Sequence, residues 1–417
     1  MKGGAFLPSP LGSFPLCADP RFQDEVRAEL QALTDQVSAC AATKYFEGLI
    51  LTGSFARGEG TVIDDPSSQS RWLSDIECLV VVKNGRVSAR EIKDSLRRIQ
   101  NEVNLKPANG ARGIKAELRA MTRSRLERLG PTIFANELCA YGKLLWGVSS
   151  GLPMPAFEIT GPQVSKHDAF RLLNNRIIEQ ISVRSGFTGE TDGGSAAAYS
   201  LAKFWIDLAT SLSIFMGCYQ PGYRNRQAPF EDYLRLHPEI LGRDISASLG
   251  GHYRDAMAIK LGQRRLKQVA SVDEFRQAAE VARAAWYWES AQLLGFDPDS
   301  ADWRGIFSRL SRLETSMQRF RGWVRLFRRP ARLGGLGPRA LIAAARSGSL
   351  ATLIYGTGCV VDFFWEDIGS TTRRGEEIAA ALCPALAVRA NDALERRRML
   401  AGAALKVWQG HLRFTAA

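Results

Sequence analysis

The segment that most constrains the fold of this chain is an apolar run that begins with two acids, Asp75-Ile76-Glu77-Cys78-Leu79-Val80-Val81-Val82. A short run of this composition is typical of a buried β-strand. Side chains at positions i and i+2 of a strand point the same way, so Asp75 and Glu77 share one face. Two neighbouring carboxylates repel each other and lose hydration, a cost that a cation between them usually offsets. The segment therefore predicts a strand with a metal site at one end.

Mg²⁺ is the cation that we expect at this pair of acids. It is a hard ion that prefers octahedral oxygen ligands. It commonly binds through one or two carboxylates together with the phosphates of a substrate. The pair therefore indicates phosphate chemistry, provided that another part of the chain can hold the phosphates.

A small-residue turn upstream, Thr52-Gly53-Ser54-Phe55, can hold phosphates in this way. It follows the strand-like segment Gly48-Leu49-Ile50-Leu51. Glycine has no Cβ, so backbone N–H groups and the Ser54 hydroxyl can come close to a phosphate. A Gly-Ser pair after an apolar strand is also common in ordinary strand-to-helix turns, so the turn alone does not decide between the two interpretations.

Together, the turn and the acids resemble the DNA polymerase beta-like nucleotidyltransferase superfamily. The pattern of that family is a hydrophobic residue, Gly and then Gly or Ser, followed by an acid-hydrophobic-acid strand and by a third acid on a later strand. Thr52-Gly53-Ser54 and Asp75-Ile76-Glu77 match the first two parts. Glu117 is the best match to the third, because alternation in Gly113-Ile114-Lys115-Ala116-Glu117-Leu118-Arg119-Ala120 places it on a polar face. The segment Asn136–Gly147 resembles the end of that catalytic domain.

The resemblance implies an enzyme that transfers a nucleoside monophosphate from an NTP, with ATP expected, to a hydroxyl of an acceptor and releases pyrophosphate. Asp75, Glu77 and Glu117 would hold two Mg²⁺ ions, for which Mn²⁺ can substitute. Glu117 would also accept or orient the acceptor proton. The Gly53-Ser54 pair would cradle the β- and γ-phosphates, with Arg57 as a helper.

One departure from the family pattern is the long spacing of 21 positions from Ser54 to Asp75. Asp64 would give a more ordinary spacing, but Asp65-Pro66-Ser67-Ser68 follows it instead of an apolar run, so we retain Asp75. The insertion Thr61–Trp72 is interpreted either as a surface loop or as a flap over the nucleotide.

The length of 417 residues exceeds the usual span of one hydrophobic core. Periodicity predicts an N-terminal helix, strands near 46–52, 75–82 and 112–121, and a helix over 88–104. Beyond Pro153 and Pro155 the predicted helices lie near 166–184, 195–217, 228–236, 273–294, 302–327 and 377–408. We expect an α+β fold with a mixed-sheet catalytic domain over 1–150, a helical bundle that binds nucleotide and acceptor over 151–330, and a helical lobe over 331–417.

One predicted helix carries a lysine in apolar surroundings, Leu201-Ala202-Lys203-Phe204-Trp205. In several nucleotidyltransferases with helical C-terminal domains such a lysine contacts the triphosphate, and the resemblance gives Lys203 this role. Alternatively, Lys203 pairs with Asp207 or extends its ammonium to solvent. The residues of Tyr219-Gln220-Pro221-Gly222-Tyr223-Arg224-Asn225-Arg226 either line the acceptor pocket or are ordinary packing and surface residues.

The acceptor is the least constrained part of the prediction. A helical bundle after the catalytic domain resembles small-molecule nucleotidyltransferases, which favours a hydroxylated acceptor such as a sugar or aminoglycoside. The net charge of +12 instead favours nucleotidylation of a protein or of tRNA. The basic run Arg319–Pro330 is interpreted either as a base-stacking surface or as a solvated helix face. A degenerate fold that only binds nucleotide or acts as a scaffold is a separate class, and it usually lacks one of the acids.

The remaining features exclude several other classes. Seven cysteines without a Cys-x-x-Cys motif argue against a disulfide framework, and the spacing of the four histidines does not indicate zinc. Gly and Pro interrupt the apolar residues at the N-terminus, which argues against a secretory signal. The most apolar segment, Ala196–Cys218, contains two charged residues, which argues against a membrane span. We therefore expect a cytoplasmic protein without a membrane partner. Oligomeric state, nucleobase and the number of nucleotides added stay open.

Overall fold

The computed structural model describes residues 14, 20–62, 72–85, 88–105, 114–147, 164–186, 193–267, 269–297, 303–313, 316, 320, 324, 350–386 and 392–415. The contacts of the chain divide it into two units, and both are discontinuous in sequence. The first unit comprises Met1–Ser165, Gly217–Phe230 and Met257–Leu266. The second comprises Lys166–Met216, Glu231–Ala256 and Lys267–Ala417.

This division differs from the three predicted segments with boundaries near 150 and 330. Two pieces of the helical half, Gly217–Phe230 and Met257–Leu266, belong to the first unit. The part of the chain after 330 groups with the helices before it. The predicted boundary prolines, the inserted residues 63–71 and nearly all of the basic run 319–330 lie outside the described residues.

The first unit contains a four-stranded mixed sheet with the order β3-β2-β1-β4. Its strands are β1 (Phe46–Thr52), β2 (Ile76–Val82), β3 (Ala116–Thr122) and β4 (Lys143–Gly147). Strand β1 runs antiparallel to β2 and β4, whereas β2 runs parallel to β3. The sheet confirms the α+β class, while its membership of the polymerase beta-like family stays a prediction.

Helices cover both faces of this sheet. They are α1 (Pro20–Ala39), α2 (Gly53–Ala56), α3 (Ala89–Leu105), α4 (Arg123–Glu127) and α5 (Ile133–Tyr141), with a 3₁₀ turn at Ala41–Tyr45. Helices α1 and α3 pack their apolar positions against the face that carries Leu51, Cys78 and Val80. On the opposite face, Leu79 and Val81 pack with residues of α4 and α5. Glu77 belongs to this second face, because it lies two positions before Leu79 in the same strand.

The second unit is helical apart from a two-stranded ribbon, β5 (Gly193–Gly194) with β6 (Val269–Ala270). Its helices are α6 (Lys166–Arg184), α7 (Ser195–Phe215), α10 (Val272–Leu294), α11 (Trp303–Leu313), α12 (Leu350–Phe363), α13 (Trp365–Ile368), α14 (Arg373–Leu386) and α15 (Ala393–Thr415). Helices α8 (Tyr223–Leu236) and α9 (Arg243–Lys260), with a 3₁₀ turn at Pro238–Ile240, contribute residues to both units. One core of this unit gathers apolar residues of α6, α12, α14 and α15.

Three details of the helical half differ from the sequence prediction. Helix α9 was not predicted, since Gly250 and Gly251 interrupt its pattern. The region 377–408 forms two helices, α14 and α15, instead of one. Helix α8 begins at Tyr223, five positions before its predicted start. No helix among the described residues is long and apolar enough to span a membrane.

Candidate functional site

The predicted phosphate turn meets one of the predicted acids where β1 ends and β2 begins. Thr52 and Glu77 are cross-strand partners, and the Thr52 hydroxyl donates a hydrogen bond to the Glu77 carbonyl over 3.1 Å. Gly53 follows with φ of +69°. A Cβ on Gly53 would lie 3.0 Å from the Glu77 carboxyl carbon and 3.2 Å from its Oε2. The lack of a side chain at Gly53 thus allows both the turn and its close approach to the carboxylate.

The turn is closed by its own backbone. The N–H of Arg57 donates to the Gly53 carbonyl at 3.3 Å, and the N–H of Glu59 donates to the Ser54 carbonyl at 2.8 Å. Ser54 is only 8% exposed. The segment therefore forms a compact turn beside Glu77, and its role toward a phosphate stays a prediction.

The three candidate metal ligands differ in their position along the strands and in their exposure. Glu77 and Glu117 are direct partners on the parallel strands β2 and β3, and both are half-buried. Asp75 immediately precedes β2 and is exposed. Glu117 accepts a hydrogen bond from Arg119 Nη2 at 3.0 Å. Two acids are thus paired on neighbouring strands, and the third lies just before the start of β2.

These acids do not form a preassembled metal centre. Within the described ranges, no three His, Cys, Asp or Glu side chains come together closely enough to hold one ion. Their chemistry nevertheless fits Mg²⁺, because this ion commonly binds through one or two carboxylates together with substrate phosphates, and Glu77 and Glu117 are paired on neighbouring strands. To bind the ion, the Glu117 carboxylate would have to release its hydrogen bond from Arg119.

A buried charged cluster joins the turn to two other parts of the first unit. Arg57 donates from Nε to Glu59 at 2.7 Å and from Nη1 to Glu137 at 3.1 Å. Arg226 donates from Nη2 to Glu137 at 2.7 Å. Burial by itself would raise the pKa of Glu137, but the two guanidinium groups outweigh it and hold this pKa below its ordinary value. Glu137 is therefore a charged partner of both arginines.

The same acids hold the start of α8. Glu59 Oε1 accepts hydrogen bonds from the N–H groups of Tyr223 and Arg224 at 2.9 and 3.1 Å. Glu137 Oε1 accepts one from the N–H of Gly222 at 3.2 Å. The first N–H groups of a helix have no partner within the helix, so Glu59 satisfies them and its negative charge suits that end.

Several residues of the segment 219–226, which the sequence assigned either to an acceptor pocket or to packing and surface positions, belong to this cluster. Tyr219 is 2% exposed and donates its hydroxyl to Glu137 at 3.2 Å. The Tyr223 ring is half-buried, with the guanidinium carbons of Arg57 and Arg226 at 4.5 and 5.6 Å from its centre. The Arg224 side chain is exposed. Tyr219 and Arg226 are thus buried packing residues, and Arg57 is bound to carboxylates instead of facing open solvent.

Lys260, at the end of α9, is a candidate that sequence reasoning missed. Its ammonium donates a hydrogen bond to Ser74 Oγ at 3.0 Å, although the two residues lie 186 positions apart. Its carbonyl accepts the Thr61 hydroxyl at 3.0 Å, and Lys260 is only 7% exposed. Since Ser74 immediately precedes Asp75, this contact joins the end of α9 to the segment that leads into β2. No local pattern could have shown this contact.

Lys203 lies in α7 of the second unit, and its side chain is exposed. Its ammonium is 5.4 Å from the centre of the Tyr199 ring. Asp207, the alternative partner, pairs with Arg176 instead. The ammonium thus extends to solvent as one interpretation held, and its role toward a phosphate stays a prediction.

Comparison with known proteins does not identify a family. No protein-family model matches the chain, and no curated protein is significantly similar to it in sequence. A functional assignment therefore depends on the residues and geometry described above.

Proposed function

We propose that this protein is a Mg²⁺-dependent nucleotidyltransferase of the polymerase beta-like type. The single observation that carries this proposal is the approach of the Gly53 turn to the Glu77 carboxylate, with Glu117 paired to Glu77 on the next strand. A phosphate-binding turn and adjacent carboxylates are the two parts that such a reaction needs.

The reaction would transfer a nucleoside monophosphate from an NTP, with ATP expected. The acceptor oxygen forms a bond to the α-phosphorus, the bond from the α-phosphorus to the bridging oxygen breaks, and pyrophosphate leaves. Glu117 would accept the proton of the acceptor hydroxyl. Bound Mg²⁺, held by Asp75, Glu77 and Glu117, would neutralise charge on the phosphates.

The other residues would bind and orient the NTP. The backbone of the Gly53-Ser54 turn would donate N–H groups to the phosphates. Lys260, which binds Ser74 next to Asp75, would add a positive charge beside the same phosphates. Arg57 would act as a positioning residue, because its bonds to Glu59 and Glu137 hold the end of the turn. Lys203 could supply a further phosphate contact.

For the acceptor we propose a small hydroxylated molecule such as a sugar or aminoglycoside. This part depends on the likeness of a catalytic domain with a helical half to small-molecule transferases. The test is to incubate the protein with each labelled NTP, Mg²⁺ and a cell extract, and to identify by mass the molecule that gains a nucleotide. If a protein or a tRNA is labelled, the acceptor is that macromolecule and not a small molecule. If no molecule is labelled with any NTP, the proposed transfer reaction is contradicted.

A second candidate, a nucleotide-binding protein without activity, is favoured by one observation. The three acids are not gathered around one point, and Glu117 is paired with Arg119. Under both candidate functions, ATP with Mg²⁺ should raise the melting temperature of the protein, and Lys260→Met should reduce this increase. Only the transferase releases pyrophosphate, and only its release depends on the acids, so activity measurements on the unsubstituted chain and on acid variants separate the two.

A further inference from the structure

A groove in the second unit has no role in the proposed transfer reaction. It lies between the start of α9 and one face of α10, and its volume is about 970 Å³. Pockets of roughly 300 to 1,000 Å³ are typical of small-molecule sites. The groove is therefore large enough for a ligand of ordinary metabolite size.

The floor of the groove is apolar and aromatic. Val281, Ala284 and Trp288 line it from α10, and Ile245 lines it from α9. The Trp288 ring meets the edge of Phe215 with the ring centres 6.0 Å apart, which fixes its orientation. Trp288 and the neighbouring Tyr287 are both half-buried, so part of each ring is available to a ligand.

One wall of the groove is polar and ordered. Gln277 donates from Nε2 to Ser248 Oγ at 2.9 Å, and its Oε1 lies 2.9 Å from His252 Nε2. The His252 ring stacks on Trp205 at 4.5 Å, with 5° between the ring planes. These contacts hold the Gln277 amide and the Ser248 hydroxyl in fixed positions before any ligand arrives.

The charge of the groove is opposite to that of the whole chain. Three carboxylates line it, from Glu239, Asp244 and Glu280, against the single guanidinium of Arg283. The complete chain carries a formal net charge of +12. Among the residues that the structure describes, no lysine or arginine nitrogen lies within 4.0 Å of the Asp244 or Glu280 carboxylate. These two acids are thus available to an incoming cation.

We propose that this groove binds a small molecule that carries two or more protonated amines on a carbon frame. The frame would pack on the Trp288 floor, and the amines would pair with Asp244 and Glu280. Ammonium groups also interact favourably with the faces of Trp and Tyr rings. An anionic ligand would meet an excess of two negative charges instead. Binding at this groove requires neither NTP nor Mg²⁺, so it is independent of the proposed transfer.

The test is a titration of the full chain with spermidine at low salt, followed by calorimetry and by Trp fluorescence. Glu280→Gln and Asp244→Asn should each weaken binding by about three- to tenfold, since each removes one partly screened attraction. Arg283→Gln should tighten binding by a similar factor, because it removes a repulsion. Glu102→Gln is the matched control, since it removes the same charge from an exposed position of α3 in the first unit and should change nothing.

Three results would overturn the proposal. Equal weakening by Glu102→Gln and Glu280→Gln would show general attraction to the protein surface. Equal affinity for 1,8-octanediol, an uncharged frame of similar length, would show that the carboxylates are irrelevant. Absence of binding at millimolar spermidine and low salt would show that the groove is not such a site. All four substituted side chains are at least partly exposed, and unchanged melting temperatures would confirm that the variants are folded.

Discussion

At the scale of single residues, the close approach of Gly53 to Glu77 is the feature on which the site depends. The φ of +69° at Gly53 lies in the region that L-residues with a Cβ adopt at a cost of about 1 to 2 kcal/mol. A Cβ there would also lie 3.0 Å from the Glu77 carboxyl carbon, so the carboxylate would have to move. Backbone conformation and the position of the Glu77 carboxylate are thus coupled at one residue.

The substitution Gly53→Ala should therefore damage both stability and activity. We expect the free energy of unfolding to fall by about 1 to 2 kcal/mol and transfer to slow by about a hundredfold, because a small displacement of a catalytic group is costly. Gly250→Ala is the matched control. Gly250 lies inside α9, where a Cβ would make an ordinary 3.6 Å contact with Leu234, and alanine there should stabilise by about 1 kcal/mol. Denaturant unfolding and pyrophosphate release would measure both effects, and wild-type behaviour of Gly53→Ala would contradict the account.

Glu289 of α10 makes a second residue-scale prediction, about pH. Its side chain is fully buried, its Oε2 accepts the Ser211 hydroxyl at 2.9 Å, and its Oε1 has no hydrogen-bond partner among the described residues. Burial raises the pKa of Glu289 well above its ordinary value. The folded state therefore holds the proton more tightly than the unfolded state does. This stabilisation is fully present below the unfolded pKa of about 4.3 and is lost as pH rises through the folded pKa.

We accordingly expect the free energy of unfolding to fall as pH rises above the ordinary carboxyl range. Glu289→Gln keeps the shape without the titration, so it should reduce this slope. Asp362, whose pKa burial raises to about 6, contributes in the same direction and accounts for a remaining slope. Urea unfolding at several pH values would measure it. An identical slope in wild type and Glu289→Gln would contradict this account.

At the scale of elements, the start of α8 is held by acids from other elements of the first unit. Glu59 binds its first N–H groups, and Glu137 of α5 pairs with both Arg57 and Arg226. The turn, α5 and α8 are thus linked through one buried set of charges. Removing one carboxylate leaves buried positive charge without a partner, which costs more than the original pair contributes.

The substitution Glu137→Gln should therefore lower the free energy of unfolding by about 3 to 5 kcal/mol. The control is Asp94→Asn, which breaks an exposed pair with Arg90 at 3.7 Å on α3 and should cost less than about 1 kcal/mol. Because the pKa of Glu137 is lowered, its stabilisation is present above the ordinary carboxyl range and is lost as pH falls through the folded pKa. Denaturant midpoints of the two variants at neutral pH would test this, and equal small losses would contradict the role of the cluster.

The elements also show what a sequence can reveal. Strand β2 and helix α1 were predicted because alternation and helical spacing are local properties. Helix α9 was missed because Gly250 and Gly251 lower its helix propensity, and tertiary contacts override that local signal. The contact of Lys260 with Ser74 could not be predicted, since no pattern within a window relates residues so far apart. Local patterns thus predicted β1, the turn and β2, while the contacts that Arg57 and Lys260 make with Glu137 and Ser74 required the fold.

At the scale of the whole molecule, the chain returns twice to its first unit. Gly217–Phe230 supplies Tyr219 and Arg226 to the charged cluster, and Met257–Leu266 supplies Lys260. A fragment of residues 1–165 would lack all three. Its Glu59 and Glu137 would lose their N–H donors from residues 222–224 while remaining close to Arg57.

We therefore expect the fragment 1–165 to fail to fold cooperatively, although its sequence pattern resembles a complete catalytic domain. Circular dichroism and thermal unfolding of the purified fragment would measure this. The full chain is the control under the same conditions. A fragment that unfolds cooperatively, with a melting temperature equal to that of the full chain, would show that the two returning segments are dispensable.

We propose that the acids beside the Gly53 turn perform nucleotidyl transfer, and the release of pyrophosphate measures this reaction. The measurement compares the full chain, the Asp75→Asn/Glu77→Gln double variant and the Glu102→Gln control with ATP, Mg²⁺ and an acceptor-containing extract. We expect the rate to fall by several orders of magnitude in the double variant and to stay unchanged in the control, because positioning and electrostatics supply most of the acceleration in this chemistry. Release at the wild-type rate by the double variant would contradict it.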